Sequence, residues 1–277
     1  MTEPRRPPEL GDIQETLLIP LYARAVETSK RHGMLSDPRA VEMVDAIDYD
    51  FTRFDGAKSL LGANLRTLLF DAWVADFLQR HPKGTVVEIG TGLNTRFERL
   101  DNGTVHWIDL DLPDVIELRR TFFQDTDRRR MLALSVTDPA WTDEVRKSPG
   151  PYFLAAEAVL IYLEEQQVHS VFDLIAERLP GALLALETAA GRMVDSQDSH
   201  DVLGKVAARM RWRCDDPTAL ERWRPGVHLT DSCSFARLPA PVARRLNPAY
   251  RLMLRAASLL RRRDMEAYRF NLFRFAD

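Results

Sequence analysis

Apolar residues recur at spacings of three and four between Ser59 and Gln79, where Leu61, Leu65, Leu68, Leu69, Ala72 and Trp73 fall on one face. That period predicts a helix. His81-Pro82-Lys83-Gly84 breaks the pattern, and Thr85 to Ile89 then reads as a short buried strand running into a glycine turn. Further apolar runs predict strands at Val105 to Leu110, Met131 to Val136, Tyr152 to Ala156 and Ala182 to Glu187, with a helix after Pro113. The clearest helical stretch is EEQQVHSVFDLIAERLPG, in which Val168, Val171, Phe172, Ile175 and Leu179 share a side and Pro180-Gly181 ends the run. Strands alternating with helices in this way argue for an α/β fold with a mostly parallel sheet, helices on both faces and right-handed crossovers. Alternating apolar positions Tyr268, Phe270 and Leu272 predict a last strand, placed in an antiparallel edge pair with a segment near Phe235.

Two regions stand outside this rhythm. Residues 1–82 precede the first strand and read as a helical cap; residues 83–277 form the core, interrupted by a polar stretch at about 191–232 that holds Trp212 and Trp223. Both are expected over the carboxyl ends of the strands, where open α/β sheets bind ligands.

Composition narrows the partners. With 45% hydrophobic and 29% charged residues and a formal charge of -3, the chain gives no electrostatic reason to expect nucleic acid or an anionic membrane, so a small-molecule substrate is the expectation. Arg128-Arg129-Arg130 and Arg261-Arg262-Arg263 lack interleaved aromatics and read as solvated loops. There is no apolar stretch behind Arg5 and Arg6 long enough for a secretory signal, and no run near the ~20 residues of a membrane span, so a cytoplasmic location is expected. Cys214 and Cys233 are too few for a disulfide framework, and the histidines show no HExxH or HxH spacing, so no metal is expected. Oligomeric state is not legible in the sequence.

The candidate chemistry begins at Gly90-Thr91-Gly92. Glycines after a strand let the backbone approach a ligand closely. A dinucleotide fingerprint would carry a third glycine where this chain has Thr95, which counts against a nicotinamide-dependent dehydrogenase. Glu88 in the strand before the turn, and Asp109 or Asp111 about twenty residues on, suit an adenosyl ligand with an amino-acid tail: Glu88 near the ammonium, an aspartate on the ribose hydroxyls. A capping role for Glu88 and surface-turn roles for the aspartates remain open at this stage.

The segment VVEIGTGLNTRFERLDNGTVHWIDLDLPDVIELRR resembles the signature of the leucine carboxyl methyltransferase family, and FLAAEAVLIYLEEQQVHSVFDLIAERLPG resembles the segment that follows it there. The pieces LYARAVET, LSDPRAVEMVD and YDF are similar to the family's bacterial branch, which has a polyketide O-methyltransferase among its members. The resemblance implies a Rossmann-like class I fold, S-adenosyl-L-methionine as cofactor and methyl transfer to oxygen, commonly of a carboxylate. By position it implies cofactor contacts from Gly90, Asp111, Glu157, Ser135, Asp138 and Arg66, the last as a clamp for the methionine carboxylate. Asn94, Thr91 and Ala158 depart from the family pattern, and the added methyl of Ala158 would narrow the space beside the cofactor.

An ionised carboxyl acceptor needs no general base, whereas a phenol, pKa about 10, is helped by one, and no histidine falls convincingly where such a base would stand, so a carboxylate is the expected acceptor and a phenolic hydroxyl the second. His200 and His228 are the histidine candidates for such a base, with Tyr162 a further catalytic candidate and Tyr162 and Trp212 able to stack on a flat substrate; Arg192, Arg211 and Arg213 are candidates to orient a carboxylate. Cofactor binding without catalysis, in a regulatory protein, is the alternative reading.

Overall fold

The computed structural model describes residues 14–199, 201, 204 and 206–277. Helices α1 (Leu18–Thr28), α2 (Pro38–Ala46) and α3 (Ser59–Arg80) come first. Strand β1 (Thr85–Ile89), α4 (Arg96–Leu100), β2 (His106–Asp111), α5 (Pro113–Arg120), β3 (Arg129–Ala133), α6 (Ala140–Val145), β4 (Tyr152–Ala156), α7 (Glu165–Arg178) and β5 (Leu183–Ala189) then alternate. The chain ends with α8 (Gly191–Asp195), β6 (Val227–Ser234), α9 (Ala240–Arg245), α10 (Pro248–Leu260), α11 (Arg262–Met265) and β7 (Tyr268–Phe275).

Local chemistry accounts for several of these boundaries. The Asp37 carboxylate accepts the Ala40 amide and Pro38 occupies the first turn of α2, while Glu164 and Gln167 form a reciprocal cap on α7. Asn247 caps α10 in the same way, followed by Pro248.

The seven strands lie in the order β3-β2-β1-β4-β5-β7-β6. The first five are parallel, β7 is antiparallel to β5, and β6 is antiparallel to β7. Core residues divide between the two faces because strand side chains alternate. Val86, Trp107, Phe153 and Ala185 pack under α3, whose Phe77 ring lies 5.5 Å from that of Phe153. Val87, Ile108, Leu154 and Leu184 pack under α7 through Phe172 and Ile175. Helices α1 and α2 close a third cluster over Leu93, Ile116, Phe123 and Met131. Burial of each large side chain contributes roughly 1.5–3 kcal/mol, so α3 is held to the sheet as firmly as the later helices are.

Three details differ from the pattern reading. Strand β3 begins at Arg129, not Met131, because Arg129 is buried against Asp109 and Glu98 and so extends the strand through a position that reads as solvated. Arg129 and Arg130 of the expected loop are therefore strand, and Arg128 alone lies outside it. The expected antiparallel edge pair is present, β7 with β6, which ends at Ser234 beside Phe235; within it β7 buries Phe270, Phe273 and Phe275 on its two faces and lies inside the sheet. The edge is β6, which carries exposed polar residues and starts within the stretch expected to be a polar lid.

Candidate functional site

The strand order reverses between β1 and β4, and the crevice at their carboxyl ends is where such sheets bind ligands. A cavity of about 380 Å³ opens there, a size in the range of small-molecule sites.

The glycine turn forms one wall. Gly90 has φ +63° and Gly92 φ +48°, both in the left-handed region that favours glycine. A Cβ on Gly90 would stand 2.3 Å from a Val159 methyl, so the chain permits no side chain at this point. The Gly92 amide donates to Asp111 Oδ2 at 2.7 Å and the Leu112 amide donates to Oδ1 at 2.8 Å. Burial pushes the Asp111 carboxyl up to about 6 against these two amides, and its carboxyl still faces the cavity.

A second wall is ionic. Glu157 follows the apolar β4, and its side chain is 7% exposed. Its Oε1 accepts from Arg66 Nε at 2.9 Å and from Thr67 at 3.1 Å, while Oε2 accepts from Arg96. Burial alone would raise its pKa, yet Arg66 and Arg96 outweigh it and hold the carboxyl at about 2. Arg66 Nε also stands 3.5 Å from Glu187 Oε1. Arg24 lines the cavity from α1, tied to Asp37 at 2.8 Å and to the Leu93 carbonyl at 2.7 Å.

The remaining walls are largely apolar: Leu163, Met193, Met210 and Phe235, with the rings of Tyr162 and Tyr268. Burial pushes the Tyr162 hydroxyl up to about 12 and raises that of Tyr268 well above its ordinary value, so both stay protonated.

Arg66, Gly90, Gly92, Asp111, Ser135, Glu157 and Tyr162 are thus brought together around one cavity. Four of the expected site residues are not. Glu88 lies beneath the turn, where both its oxygens accept from Arg96 Nη1 at 2.5 and 2.7 Å, and it does not line the cavity. Asp109 is equally enclosed: Thr91 Oγ1 donates to it at 2.9 Å, Arg119 at 3.0 Å and Arg129 at 2.7 Å. Despite the burial, the two arginines hold it below the usual carboxylate range. Asp138 accepts the Ala140 amide at 2.9 Å and serves the turn into α6, away from the cavity lining. His228 is exposed on the edge strand opposite Arg274, which itself pairs with Leu183 at the amino end of β5, so it sits at the wrong end of the sheet to act as a base. His200 lies outside the described residues.

The substrate candidates in the polar stretch are also displaced. Arg192, Arg211 and Arg213 are exposed and pair with Asp264, Glu164 and Asp195. Trp212 is core, 1% exposed and packed near Trp223. Burial raises both thiols, Cys214 and Cys233, to about 12, so neither is a reactive thiolate.

Sequence reasoning missed Glu187. Burial raises its carboxyl to about 8; Oε2 accepts the Ala158 amide at 2.9 Å and Oε1 has no hydrogen-bond partner. A signal was present in ALLALE, where an acid ends an apolar run just as Glu157 follows the apolar run of β4. Ala158, between the two walls, holds φ +56°, a conformation strained for any residue with a Cβ. Thr95, at the position of the third glycine, is fully buried and bonded to Asp37 and Arg99, so this turn lacks the close helix–strand contact of a dinucleotide fingerprint.

Residues 18–176 match the family model of leucine carboxyl methyltransferase. The tetracenomycin polyketide synthesis O-methyltransferase TcmP of Streptomyces glaucescens is 32% identical over 232 residues, covering 83% of this chain and 86% of its own length. The S-adenosyl-L-methionine-dependent methyltransferase dpfgK of Gibberella zeae is 27% identical over 241 residues, 79% of this chain and 80% of that protein. Among solved structures, a DUF574-family protein from Streptomyces avermitilis superposes with TM-score 0.56 at 17% identity, over 95% of this chain and 97% of that one.

Proposed function

Because this chain belongs to the leucine carboxyl methyltransferase family, and so is an S-adenosyl-L-methionine-dependent methyltransferase, we propose that it methylates an oxygen of a small, apolar acceptor, and that this oxygen is a hydroxyl. The observation that carries the reading is the Asp111 carboxylate, held by two amides and lining the same cavity as the Arg66–Glu157 pair.

These residues fit the cofactor. Gly90 presents bare backbone to the cavity, Asp111 offers acceptors to a pair of ribose hydroxyls, and Arg66 and Glu157 offer opposite charges to an amino-acid tail. Ser135 stands on the wall where an adenine would rest. S-Adenosylmethionine, when bound, supplies a methyl already electrophilic on its sulfonium. What the protein adds is alignment of the acceptor oxygen and exclusion of water.

The hydroxyl assignment follows from the cations. A carboxylate acceptor calls for an uncommitted arginine; among the described residues the two that line the cavity are Arg24, tied to Asp37, and Arg66, which faces Glu157 and Glu187 and is the cation left for the cofactor's own carboxylate. The apolar walls of Leu163, Met193, Met210 and Phe235 suit a flat phenolic molecule of the polyketide kind, with the protonated Tyr162 and Tyr268 hydroxyls placed to donate to its oxygen. TcmP, an O-methyltransferase of tetracenomycin polyketide synthesis, supports a polyketide-type molecule as the acceptor.

Methyl transfer from labelled S-adenosylmethionine to matched phenols and benzoic acids tests the proposal. At saturating cofactor, turnover of a phenol should climb with pH toward the hydroxyl's own pKa of about 10, whereas a carboxylate acceptor would give a flat profile. Methylation of the acids alone would overturn the hydroxyl assignment.

A further inference from the structure

Eight arginines and no carboxylate lie between Asp231 and Asp264 in a chain whose formal charge is -3. The overall balance conceals this concentration. Arg262 pairs with Glu266 at 2.9 Å, and none of the other seven has an ion pair among the described residues.

The arginines surround an unusual helix. Tyr250 and Leu254 pack α10 onto the core, and Lys30 at the end of α1 donates to the Tyr250 hydroxyl at 3.2 Å. The opposite side is apolar and bare: Leu252 is 70% exposed, Leu259 85% and Leu260 85%, with Met253 at 46%. Leu252 and Leu259 are seven residues apart, as are Met253 and Leu260, so the four make two parallel rows along one face. Arg251 and Arg255 run along the border of these rows, Arg261, Arg262 and Arg263 close the far end, and Arg244 and Arg245 precede the helix. No residue of α10 is buried.

We propose that α10 docks this protein on an anionic phospholipid surface, its leucine rows entering the boundary between headgroups and acyl chains and its arginines meeting the phosphates. Charge decides the occupant. A second copy would bring two arginine-bordered ridges face to face, with like charges opposed. A ridge that stands proud of the molecule needs a concave protein partner but asks nothing of a bilayer, which deforms to receive it. An apolar row bordered by arginines is the pattern by which helices lie in a membrane interface, with the cations attracted to acidic lipids. No helix among the described residues is long and apolar enough to cross the membrane, so the contact is superficial. This inference is independent of the methyl acceptor.

Co-sedimentation of the full chain with phosphatidylcholine vesicles, with and without phosphatidylglycerol, tests it. The protein should pellet with the phosphatidylglycerol vesicles, stay in solution with phosphatidylcholine alone, and be released by high salt. Leu252→Ser with Leu259→Ser, and separately Arg251→Glu with Arg255→Glu, should each weaken that binding by about tenfold or more. Melting temperature and S-adenosylhomocysteine affinity report whether the variants remain folded, since these residues do not line the cavity. Failure of the wild type to pellet overturns the proposal. So does a leucine variant that binds as well as the wild type while the arginine variant does not, which would reduce the face to a general polyanion site. A wild-type dimer in light scattering that the leucine variant dissolves would assign the face to a second copy instead.

Discussion

Glu88 and Asp109 oppose each other in register across β1 and β2, and Asp111 lies two residues beyond Asp109 on the same side of its strand. Three carboxylates of similar sequence context meet different fates. The first two are saturated by Arg96, Arg119 and Arg129 and support the glycine turn from below; the third passes the end of the strand and keeps a face on the cavity. What separates a supporting carboxylate from a binding one is whether arginine or backbone amide is its partner. Arginines surround a buried carboxylate and use up its acceptors, whereas the Gly92 and Leu112 amides give Asp111 one hydrogen bond to each oxygen and leave it on the cavity wall.

The sharpest way to break this comparison is Asp109→Ala. It leaves Arg119 without a carboxylate and Arg129 with Glu98 alone, both in a buried layer, and should cost about 3–5 kcal/mol in denaturant unfolding. A loss below ~1 kcal/mol would show that the layer is not holding the turn.

Asp111→Ala should do the reverse. We expect folding stability to fall by no more than about 1 kcal/mol, because water in the cavity can take over the two amides, while calorimetric titration shows S-adenosylhomocysteine binding weaker by ~1–3 kcal/mol. Unchanged affinity would remove Asp111 from the ribose.

Glu187 tests a third situation, a buried acid with neither a full set of arginines nor open water. Its carboxyl stands at about 8 in the fold against an ordinary 4.5, so the folded protein holds a proton that the unfolded chain releases. The stability it contributes is complete below pH 4.5 and drains away as pH rises to about 8. Thermal unfolding between pH 5 and 9, buffered in steps of about one unit, should therefore slope downward in the wild type and less steeply in Glu187→Gln. Parallel slopes would assign the drift to other groups.

The smallest effect is expected from Ala158→Gly. Relief of the left-handed strain at φ +56° offsets the added freedom of the unfolded chain, leaving a change within about 1 kcal/mol. The same variant should widen the acceptors taken, if the methyl borders the substrate; a comparison of KM for slim and bulky phenols decides.

Much of this was legible along the chain. Strands β1 and β4 fall where the apolar runs placed them, since a central parallel strand is buried on both faces and reads as an unbroken run. Gly90 and Asp111 could be named because a glycine turn and a strand-end acid are local features, whereas Arg66 and Glu157 were named through the family resemblance. What could not be read was pairing between distant elements. Nothing near Glu88 announces that Arg96 folds back on it, and Arg129 looks solvated until Asp109 and Glu98 are placed beside it. The exposed ion pairs of Arg192, Arg211 and Arg213 misled in the opposite sense, as polarity in the right stretch of chain carries no direction.

The position of β7 sets an order of events during synthesis. Strands β1 to β5 leave the ribosome first and can assemble alone, but the outer edge of β5 then stays bare, with apolar Leu184 and Leu186 beside open amides and carbonyls. Strand β6 emerges next and has no neighbour to pair with, because its partner has not yet been translated. Only when residues 268–275 arrive do both edges close, and in the same step Tyr268 arrives at the cavity. A nascent chain is thus sticky and without its finished cavity until residues 268–275 are made, which makes the stretch of elongation between β5 and β7 the interval in which a chaperone would matter most.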